Sequence, residues 1–486
     1  MRALQFAPPR QGRVLTSYLV SYEVKTAGGL GYPCTFTVYI YESGGRCAYL
    51  VKEPYVDEAL KAAVSSALES LSTWLAPSPV ADLDPVGYLF AEMERQGLMK
   101  GMSREDAQSA TYYLVRDILG YGILDPLLRD GKIEDVSCEG ASRPVKVWHR
   151  EVNANGWLET NVSFEEREDM DRIVSRLVHR SGKSISAYSP IVDSVLPEGF
   201  RLAATWGREV TSLGSSFRIT KHSTEPFSIA ELVRIGTLSL EVAAYLWMLL
   251  DLKGFVVVSG ATATGKTTLL NSLASVMNPS WKIVSIEDTR EINLPHSGWK
   301  PLHTRTLQTG ASITLFDLVK LSLRERPDFV ILGEARGQEV QALFQSAAAG
   351  SGCITTFHST DLGSMTARMT QPPLSVSPSL LQLIDATVFM TKEPEGGRRY
   401  VHQVIETGHG MEPIFMKTEA DWEGSLDSSK SLWSRAQAYG YSPKRLSAEL
   451  ERRKQFVSSL VGRAVVDYGT LSKELGHFYA SPSFTL

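Results

Sequence analysis

The chain has 486 residues, of which 43% are hydrophobic and 21% charged, and its formal net charge is −4. This length predicts two or three globular domains, and the nearly balanced charge excludes a global positive field that would attract nucleic acid. The four cysteines form no C-x-x-C pair, which argues against a zinc site and a disulfide framework. The longest apolar run, residues 242–250, is too short to span a membrane.

The first part of the chain is predicted to be β-rich and then helical. Residues 14–52 alternate apolar and polar side chains between glycine-rich turns, which indicates strands. Residues 56–75 have the periodicity of an amphipathic helix. Three prolines within residues 77–85 then indicate a hinge. We therefore expect a small N-terminal extension over residues 1–80.

A second domain is predicted to be of the α+β type. Residues 86–129 have a helical pattern, and the following segment, to residue 224, mixes short strands with a helix over residues 165–181. This gives an α+β N-terminal domain over residues 84–224. A linker and a helix are expected over residues 225–250.

The segment from about 251 to 412 is predicted to be an α/β domain with a parallel sheet. Continuous apolar runs at residues 255–258, 283–286 and 329–332 alternate with helical stretches, as in a sheet buried on both faces. Each run ends in polar residues, at the edge where such sheets bind ligands. A helical C-terminal tail is expected over residues 430–486.

The most informative motif follows the first of these strands and precedes a helix. It consists of Gly260, Ala261, Thr262, Ala263, Thr264, Gly265, Lys266 and Thr267, and Thr268 continues into the helix. Strand, glycine-bounded loop and helix form the context of a phosphate-binding loop, whose backbone N–H groups attract anions. In such a loop Lys266 reaches the β- and γ-phosphates and the Thr267 hydroxyl ligates Mg²⁺. The motif predicts binding of a nucleoside triphosphate.

Three further strand ends carry candidate catalytic residues. The second strand ends at Glu287, where a carboxylate can hold metal-bound water or order a nucleophile. Glu334 follows the third strand and can orient a water for in-line attack; because position 333 is glycine instead of a Mg²⁺-organising aspartate, we expect Glu334 to take both roles. His358 ends a fourth apolar strand and can sense the γ-phosphate. Taken singly, each could be a turn, capping or structural residue, but their place beside the phosphate loop favours function.

Arg201 and Arg218 lie before the linker, outside the nucleotide domain. Arginine suits phosphate contacts made from another domain or subunit, because it is permanently charged and can bind in bidentate fashion. On composition alone, a surface arginine of a strand is the better interpretation of both.

Together these motifs resemble the secretion-superfamily ATPases, which drive type II secretion, type IV pilus assembly and archaellum rotation. The family's boxes appear in order, as the phosphate loop at 260–267, the aspartate box at 285–291, an atypical Walker B at 326–334 and a histidine box ending at His358. The segments 120–127, 133–138 and 189–194 resemble the archaeal branch. The absence of a four-cysteine module from the sequence distinguishes the chain from bacterial type II secretion ATPases.

The resemblance implies a hexameric ring in which ATP, with Mg²⁺, binds between the N-terminal domain and a RecA-like C-terminal domain. It implies that Lys266 and Thr267 bind phosphate and Mg²⁺, and that Glu334 is the catalytic carboxylate. It gives Glu287 the ordering of water or metal, and His358 the sensing of the γ-phosphate.

The resemblance also extends to the two arginines. Arg201 matches the family's phosphate-contacting arginine. Arg218 lies two positions before the usual place of a second arginine, and because side chains alternate along a strand it stays on the same face, so we expect it to replace that residue. The histidine box also departs from the family pattern, with Gly350-Ser351 where Gly-His is usual.

The resemblance further implies a cytoplasmic protein, peripherally associated with the membrane, that works on a polytopic membrane platform protein and not on nucleic acid. The alternative is a RecA-like nucleic-acid translocase of a conjugation-like type IV secretion system. The balanced charge and the lack of a basic stripe with interleaved aromatics count against it. A P-loop kinase would need a phosphoacceptor pocket, for which the sequence offers no residue set.

Overall fold

The computed structural model describes residues 2–9, 12–26, 29–73, 84–95, 97, 103–152, 156–221, 226–305, 312–393, 397–408, 411–419, 421–465 and 468–480. The chain divides into two compact units, residues 1–222 and 223–486. Most of the predicted hinge at 77–85 and the last six residues of the predicted tail lie outside the described residues. The finer domain limits stay predictions.

The first unit contains one mixed sheet. Its strands are β1 (Arg13–Lys25), β2 (Gly31–Ser43), β3 (Arg46–Lys52), β4 (Ile133–Cys138), β5 (Pro144–His149), β6 (Leu158–Ser163), β7 (Ile191–Val195), β8 (Arg201–Thr205) and β9 (Ser216–Thr220). Their order in the sheet is β1-β2-β3-β6-β5-β4-β9-β8-β7. Neighbours are antiparallel except β3 and β6, which pair in parallel. The β-rich extension thus shares its sheet with the predicted α+β domain.

Helices cover this sheet. They are α1 (Glu58–Thr73), α2 (Pro85–Arg95), α3 (Arg104–Leu114), α4 (Asp125–Arg129) and α5 (Arg167–Arg180). A π-helical turn follows α3 and places Arg116 in the interior, where its side chain lies 2.6 Å from the carboxylate of Glu53, also buried. This buried ion pair fastens the N-terminal extension to the helices of the unit, since a buried charge without a partner is costly.

The second unit contains a sheet that is parallel over six strands and antiparallel beyond them. Its strands are β10 (Phe255–Gly260), β11 (Ile283–Glu287), β12 (Trp299–His303), β13 (Phe329–Leu332), β14 (Gly352–Phe357), β15 (Ala386–Lys392), β16 (Arg399–Glu406), β17 (Glu412–Lys417) and β18 (Trp422–Gly424). Their order is β12-β11-β13-β14-β10-β15-β16-β17-β18. The pairs from β12 to β15 are parallel, and β15 to β18 are antiparallel.

Both faces of this sheet are covered by helices. These are α6 (Ile229–Arg234), α7 (Leu240–Asp251), α8 (Lys266–Ser275), α9 (Leu315–Leu323), α10 (Glu339–Ala348), α11 (Leu362–Thr370), α12 (Pro378–Leu381), α13 (Lys430–Ala438), α14 (Pro443–Gly462) and α15 (Tyr468–Ala480). Val256 and Val258 face one apolar cluster, with α7, α8 and the tail helices, whereas Phe255 and Val257 face another, with α9, α10 and α11. Burial on both faces explains the continuous apolar runs of the central strands.

The C-terminal helices complete the layer around α7. Residues 242–250 of α7 are buried all round, which requires cover on every side. Part of that cover comes from α14 and α15, through a buried polar cluster in which Arg453 contacts Asp251 at 2.6 Å and Glu449 at 2.7 Å. The Tyr479 hydroxyl donates to Asp251 as well. The predicted helical tail is thus an integral part of the second unit.

We expect Arg453→Ala to destabilise the chain strongly, because it leaves the buried carboxylate of Asp251 without its cation and leaves Glu449 only the longer pair with Arg452 at 3.5 Å. The loss in the free energy of unfolding is expected to be about 3–5 kcal/mol. The neighbouring Lys454 forms an ion pair with Glu241, in which Lys454 is partly exposed and Glu241 is half exposed. Lys454→Ala removes this pair and should lower the free energy of unfolding by only about 0–1 kcal/mol. Guanidinium denaturation followed by circular dichroism measures both; equal losses would contradict the role of Arg453.

Candidate functional site

The predicted phosphate-binding loop joins β10 to α8. Gly265 caps α8 with φ +91°, a left-handed conformation that favours glycine. The Thr264 hydroxyl donates to the Ala261 carbonyl at 2.9 Å and closes the turn. Around this turn, Gly260 ends the strand, Ala261, Thr262 and Ala263 are exposed, and Thr267 and Thr268 lie half-buried in the first turn of α8. The helix N-terminus therefore points its free N–H groups into a loop open to solvent.

Three predicted site residues form a chain of polar contacts across the strand ends. The Lys266 ammonium donates to the Ala261 carbonyl at 2.7 Å and lies 3.4 Å from Nδ1 of His358. Nε2 of His358 lies 3.2 Å from Oε1 of Glu334. Because an ammonium group can only donate, Nδ1 accepts and Nε2–H donates to Glu334. Burial and the nearby Lys266 charge lower the pKa of His358, which fits this neutral tautomer.

The carboxylate of Glu334 is held from both sides. Its Oε1 accepts from His358, and its Oε2 accepts from a guanidinium N–H of Arg336. Burial opposes ionisation, but the hydrogen bond and charge of Arg336, with His358 and Lys266, lower the pKa of Glu334 below its usual range. Glu334 is therefore a charged acceptor at neutral pH, as a residue that orients water must be.

Glu287 lies deeper than the other candidates. Its side chain is 4% exposed, and its Oε1 accepts the backbone N–H groups of Glu291 and Ile292, both at 2.9 Å. Burial raises the pKa of Glu287 to about 7. A Cβ at position 333 would come within 3.0 Å of the Glu287 Cγ, so the side chain of Glu287 fills the space beside Gly333. A residue with a Cβ at position 333 would therefore require the Glu287 side chain to shift by a few tenths of an ångström.

Besides Arg336, two residues that support the site were not predicted from the sequence. Asn271 of α8 donates to the Glu291 carbonyl and accepts the Asn293 N–H, both at 3.0 Å, which fastens the aspartate-box loop to the helix of the phosphate loop. Arg368 of α11 donates to the His358 carbonyl. Asn271 follows the phosphate motif closely enough to be a candidate, whereas nothing in the local pattern distinguishes Arg368.

Arg201 and Arg218 belong to the first unit, whereas the other predicted site residues belong to the second. Arg201 pairs with Asp193 at 2.6 Å, and Arg218 pairs with Asp135 at 3.1 Å. In the register of β8 and β9, Arg218 lies opposite Ala203, two residues from Arg201, so both arginines lie on one face of the sheet. Both side chains are about half exposed. Their role in phosphate binding stays a prediction.

The oxygen donors at this edge of the sheet fit a hard cation. The Thr267 hydroxyl lies in the first turn of α8, and the Glu334 carboxylate lies at the end of β13. Hydroxyl and carboxylate oxygens, completed by water and phosphate oxygens, are the ligands that Mg²⁺ takes in such sites.

Residues 121–388 match the family model described as Type II/IV secretion system protein. The chain belongs to this family. An uncharacterized protein of Methanocaldococcus jannaschii, MJ0900, is 32% identical over 391 residues, which cover 77% of this chain and 70% of that protein. The family membership and the α/β, RecA-like fold expected from the sequence are thereby confirmed.

More distant members and a solved structure are also similar. A protein of Sinorhizobium fredii named "Probable conjugal transfer protein TrbB" is 26% identical over 255 residues, which cover 50% of this chain and 76% of that protein. The crystal structure of the pilus retraction motor PilT with bound ADP is 17% identical, covers 66% of this chain and 88% of that one, and superposes with a TM-score of 0.45.

The raised pKa of Glu287 makes stability depend on pH. Between its ordinary pKa of 4.5 and about 7, the folded chain holds a proton that the unfolded chain has released, so the free energy of unfolding falls as pH rises. Above about pH 7 the free energy of unfolding has fallen by the full amount, which is on the order of 3 kcal/mol. We expect Glu287→Gln, whose amide oxygen can accept the same two N–H donors, to be more stable than the wild type at about pH 8 but not at about pH 5.

Thermal unfolding at the two pH values measures this difference. Glu325→Gln serves as the control, because hydrogen bonds from Lys300 and Lys282 lower the pKa of Glu325, so its effect should be the same at both. A Glu287→Gln effect that does not change with pH would contradict the buried, protonated carboxyl.

Proposed function

We propose that this member of the secretion ATPase family is a Mg²⁺-dependent ATPase. It forms a homo-hexameric ring motor that powers assembly of a type IV pilus-like filament, protein secretion, or archaellum assembly and rotation. The observation that carries the proposal is the polar chain from Lys266 through His358 to Glu334. It links the predicted phosphate-binding lysine, which follows β10, to a charged carboxylate that follows β13, with β14 between these two strands.

Each of these residues has a distinct task in hydrolysis. The Lys266 ammonium exchanges the Ala261 carbonyl for phosphate oxygens, while the N–H groups at the start of α8 bind the remaining phosphate charge. Glu334 accepts a hydrogen bond from the attacking water and orients it in line with the γ-phosphorus. His358 donates its Nε2–H to Glu334. It senses the γ-phosphate through its position between Lys266 and Glu334. Glu287, at the end of β11, orders water or metal.

Thr267, together with Glu334, would hold the Mg²⁺ that accompanies ATP. When bound, the cation would supply positive charge that neutralises the phosphate oxygens. In this proposal Arg201 and Arg218 contribute phosphate contacts from the N-terminal domain, for which arginine is suited by its permanent charge and planar fork. The site is therefore expected to be complete only in the assembled ring.

The proposed partner is a polytopic membrane platform protein. We propose that the chain binds it from the cytoplasmic face, at the periphery of the membrane. Among the described residues, no helix has both the length and the apolar content needed to cross a bilayer. Closure and opening of the ring on ATP binding and hydrolysis would then push on this partner.

A nucleic-acid translocase is the second candidate, because a relative carries a conjugal-transfer name. The net charge of −4 counts against it. DNA binding that weakens steeply with salt would favour this candidate, since release of counterions from phosphates is its signature. We expect no such binding.

We expect Glu334→Gln to bind ATP like the wild type and to hydrolyse it about 10²- to 10⁴-fold more slowly, the range for a lost general base. Lys266→Ala should instead weaken binding, because a charge-assisted phosphate contact of roughly 1.5–3 kcal/mol is lost. Phosphate release and titration with a fluorescent ATP analogue measure the two effects. Near wild-type turnover by Glu334→Gln would show that the catalytic assignment is wrong.

The ring is tested by measuring the Mg²⁺-ATPase rate per subunit against protein concentration, with no phosphoacceptor added. A rate that rises cooperatively to a plateau is expected, because neighbouring subunits complete each site. A rate that is independent of concentration down to dilutions at which the chain is monomeric would contradict the motor and favour a self-sufficient P-loop enzyme.

A further inference from the structure

Arg336 contacts the site but has no role in the hydrolysis mechanism proposed above. It follows Glu334 by two residues, in the loop between β13 and α10, and its guanidinium donates to Oε2 of Glu334. His358 donates to the other oxygen of the same carboxylate, from the end of β14. The carboxylate therefore has one donor on each oxygen, from two different strand ends.

The backbone of Arg336 is itself fixed. Oε1 of Glu339, a buried residue at the start of α10, accepts the N–H of Arg336 at 2.8 Å and that of Gly337 at 2.6 Å. A buried carboxylate with two charge-assisted hydrogen bonds is a strong anchor. Because Glu339 of α10 holds this loop, the backbone from which the Arg336 side chain extends is restrained.

The charges around Arg336 explain why a cation is needed there. Glu334 lies on its own loop, and Asp288 and Glu291, on the loop after β11, also interact electrostatically with it. His358 and Lys266 are the other charged or titratable neighbours of Glu334. Without Arg336, less positive charge would compensate Glu334, Asp288 and Glu291. Repulsion from the other two carboxylates would then displace the Glu334 side chain.

We propose that Arg336 is a positioning residue for ATP hydrolysis: with His358 it clamps the two oxygens of Glu334, so that the carboxylate presents its remaining lone pairs in one orientation to the attacking water. This inference rests on the proposed function. It assigns Arg336 an effect on turnover through Glu334 and no contact with the nucleotide. A displacement of a catalytic group by about 1 Å is enough to slow a reaction by up to about 10²-fold.

The test compares Arg336→Ala, the neutral Arg336→Gln and the charge-conserving Arg336→Lys in the full chain. We expect the two neutral variants to lower kcat by about 10- to 100-fold, while the dissociation constant of a fluorescent ATP analogue stays within about twofold. Arg336→Lys should recover part of the rate, because the observed contact uses a single N–H donor. Retained analogue binding shows that a slow variant is folded.

Arg463 provides a matched control. It forms an ion pair with Glu474 at 2.7 Å in the same unit, with side-chain exposure of 50% and 30%, against 56% and 25% for Arg336 and Glu334. Arg463→Ala should leave kcat unchanged, because an ion pair of this exposure contributes little to stability.

A double variant tests whether Arg336 acts through Glu334. Adding Arg336→Ala to Glu334→Gln should not slow the residual rate further, because the clamped group is already gone. A further loss of the same size as in the single variant would overturn the inference. So would an Arg336→Ala kcat equal to that of the wild type, weaker analogue binding at unchanged kcat, or an Arg336→Lys rate no better than the neutral variants.

The outcome for the proposed function is separate. If Glu334→Gln stops turnover while the Arg336 variants behave like the wild type, the ATPase assignment stands and only the clamp is wrong. If Glu334→Gln turns over normally, the proposed function fails first.

Discussion

The parallel pairing of the buried strands β11, β13, β14 and β10 is the constraint on which the rest of the second unit depends. Parallel strands bring their carboxyl ends to one edge, and the register is tight, with Ile286 opposite Leu332, Leu332 opposite Thr355, and Ser259 opposite Phe357. The residues that leave these strands therefore meet: Glu287, Glu334, His358 and the phosphate loop. No single contact among them would place all four, because each side chain reaches only a few ångströms.

That sheet exists only because both of its faces are covered. A parallel sheet leaves no solvated face, so the chain must supply two helical layers. One layer includes the C-terminal helices, whose Arg453 pairs with Asp251 at the end of α7. The tail therefore supports the site indirectly: it covers α7, which belongs to the same apolar cluster as Val256 and Val258 of the strand before the phosphate loop.

The site is a row of four polar groups that differ in charge. A lysine ammonium, a neutral imidazole, a carboxylate and a guanidinium follow one another from Lys266 through His358 and Glu334 to Arg336. Each group makes a polar contact with its neighbour, which offsets part of the free energy lost when these partly buried charges leave water. Phosphate bound at Lys266 would change the first link of this chain, and the change would be felt at Glu334 through one imidazole. In the proposed mechanism, this coupling would connect nucleotide binding at Lys266 with the carboxylate of Glu334.

The sequence by itself determined the local features of this protein. Continuous apolar runs marked the central strands, and the glycine-bounded motif marked the phosphate loop, since both depend on residues adjacent in the chain. Strand β12 and strands β15 to β18 were not predicted, because their apolar runs are shorter or are interrupted by polar residues. Only the tertiary structure decided that β3 joins β6, that Glu287 fills the space beside Gly333, and that Arg336 and His358 each contact one oxygen of Glu334. Those contacts join residues whose proximity is set by strand order and packing, which local periodicity does not encode.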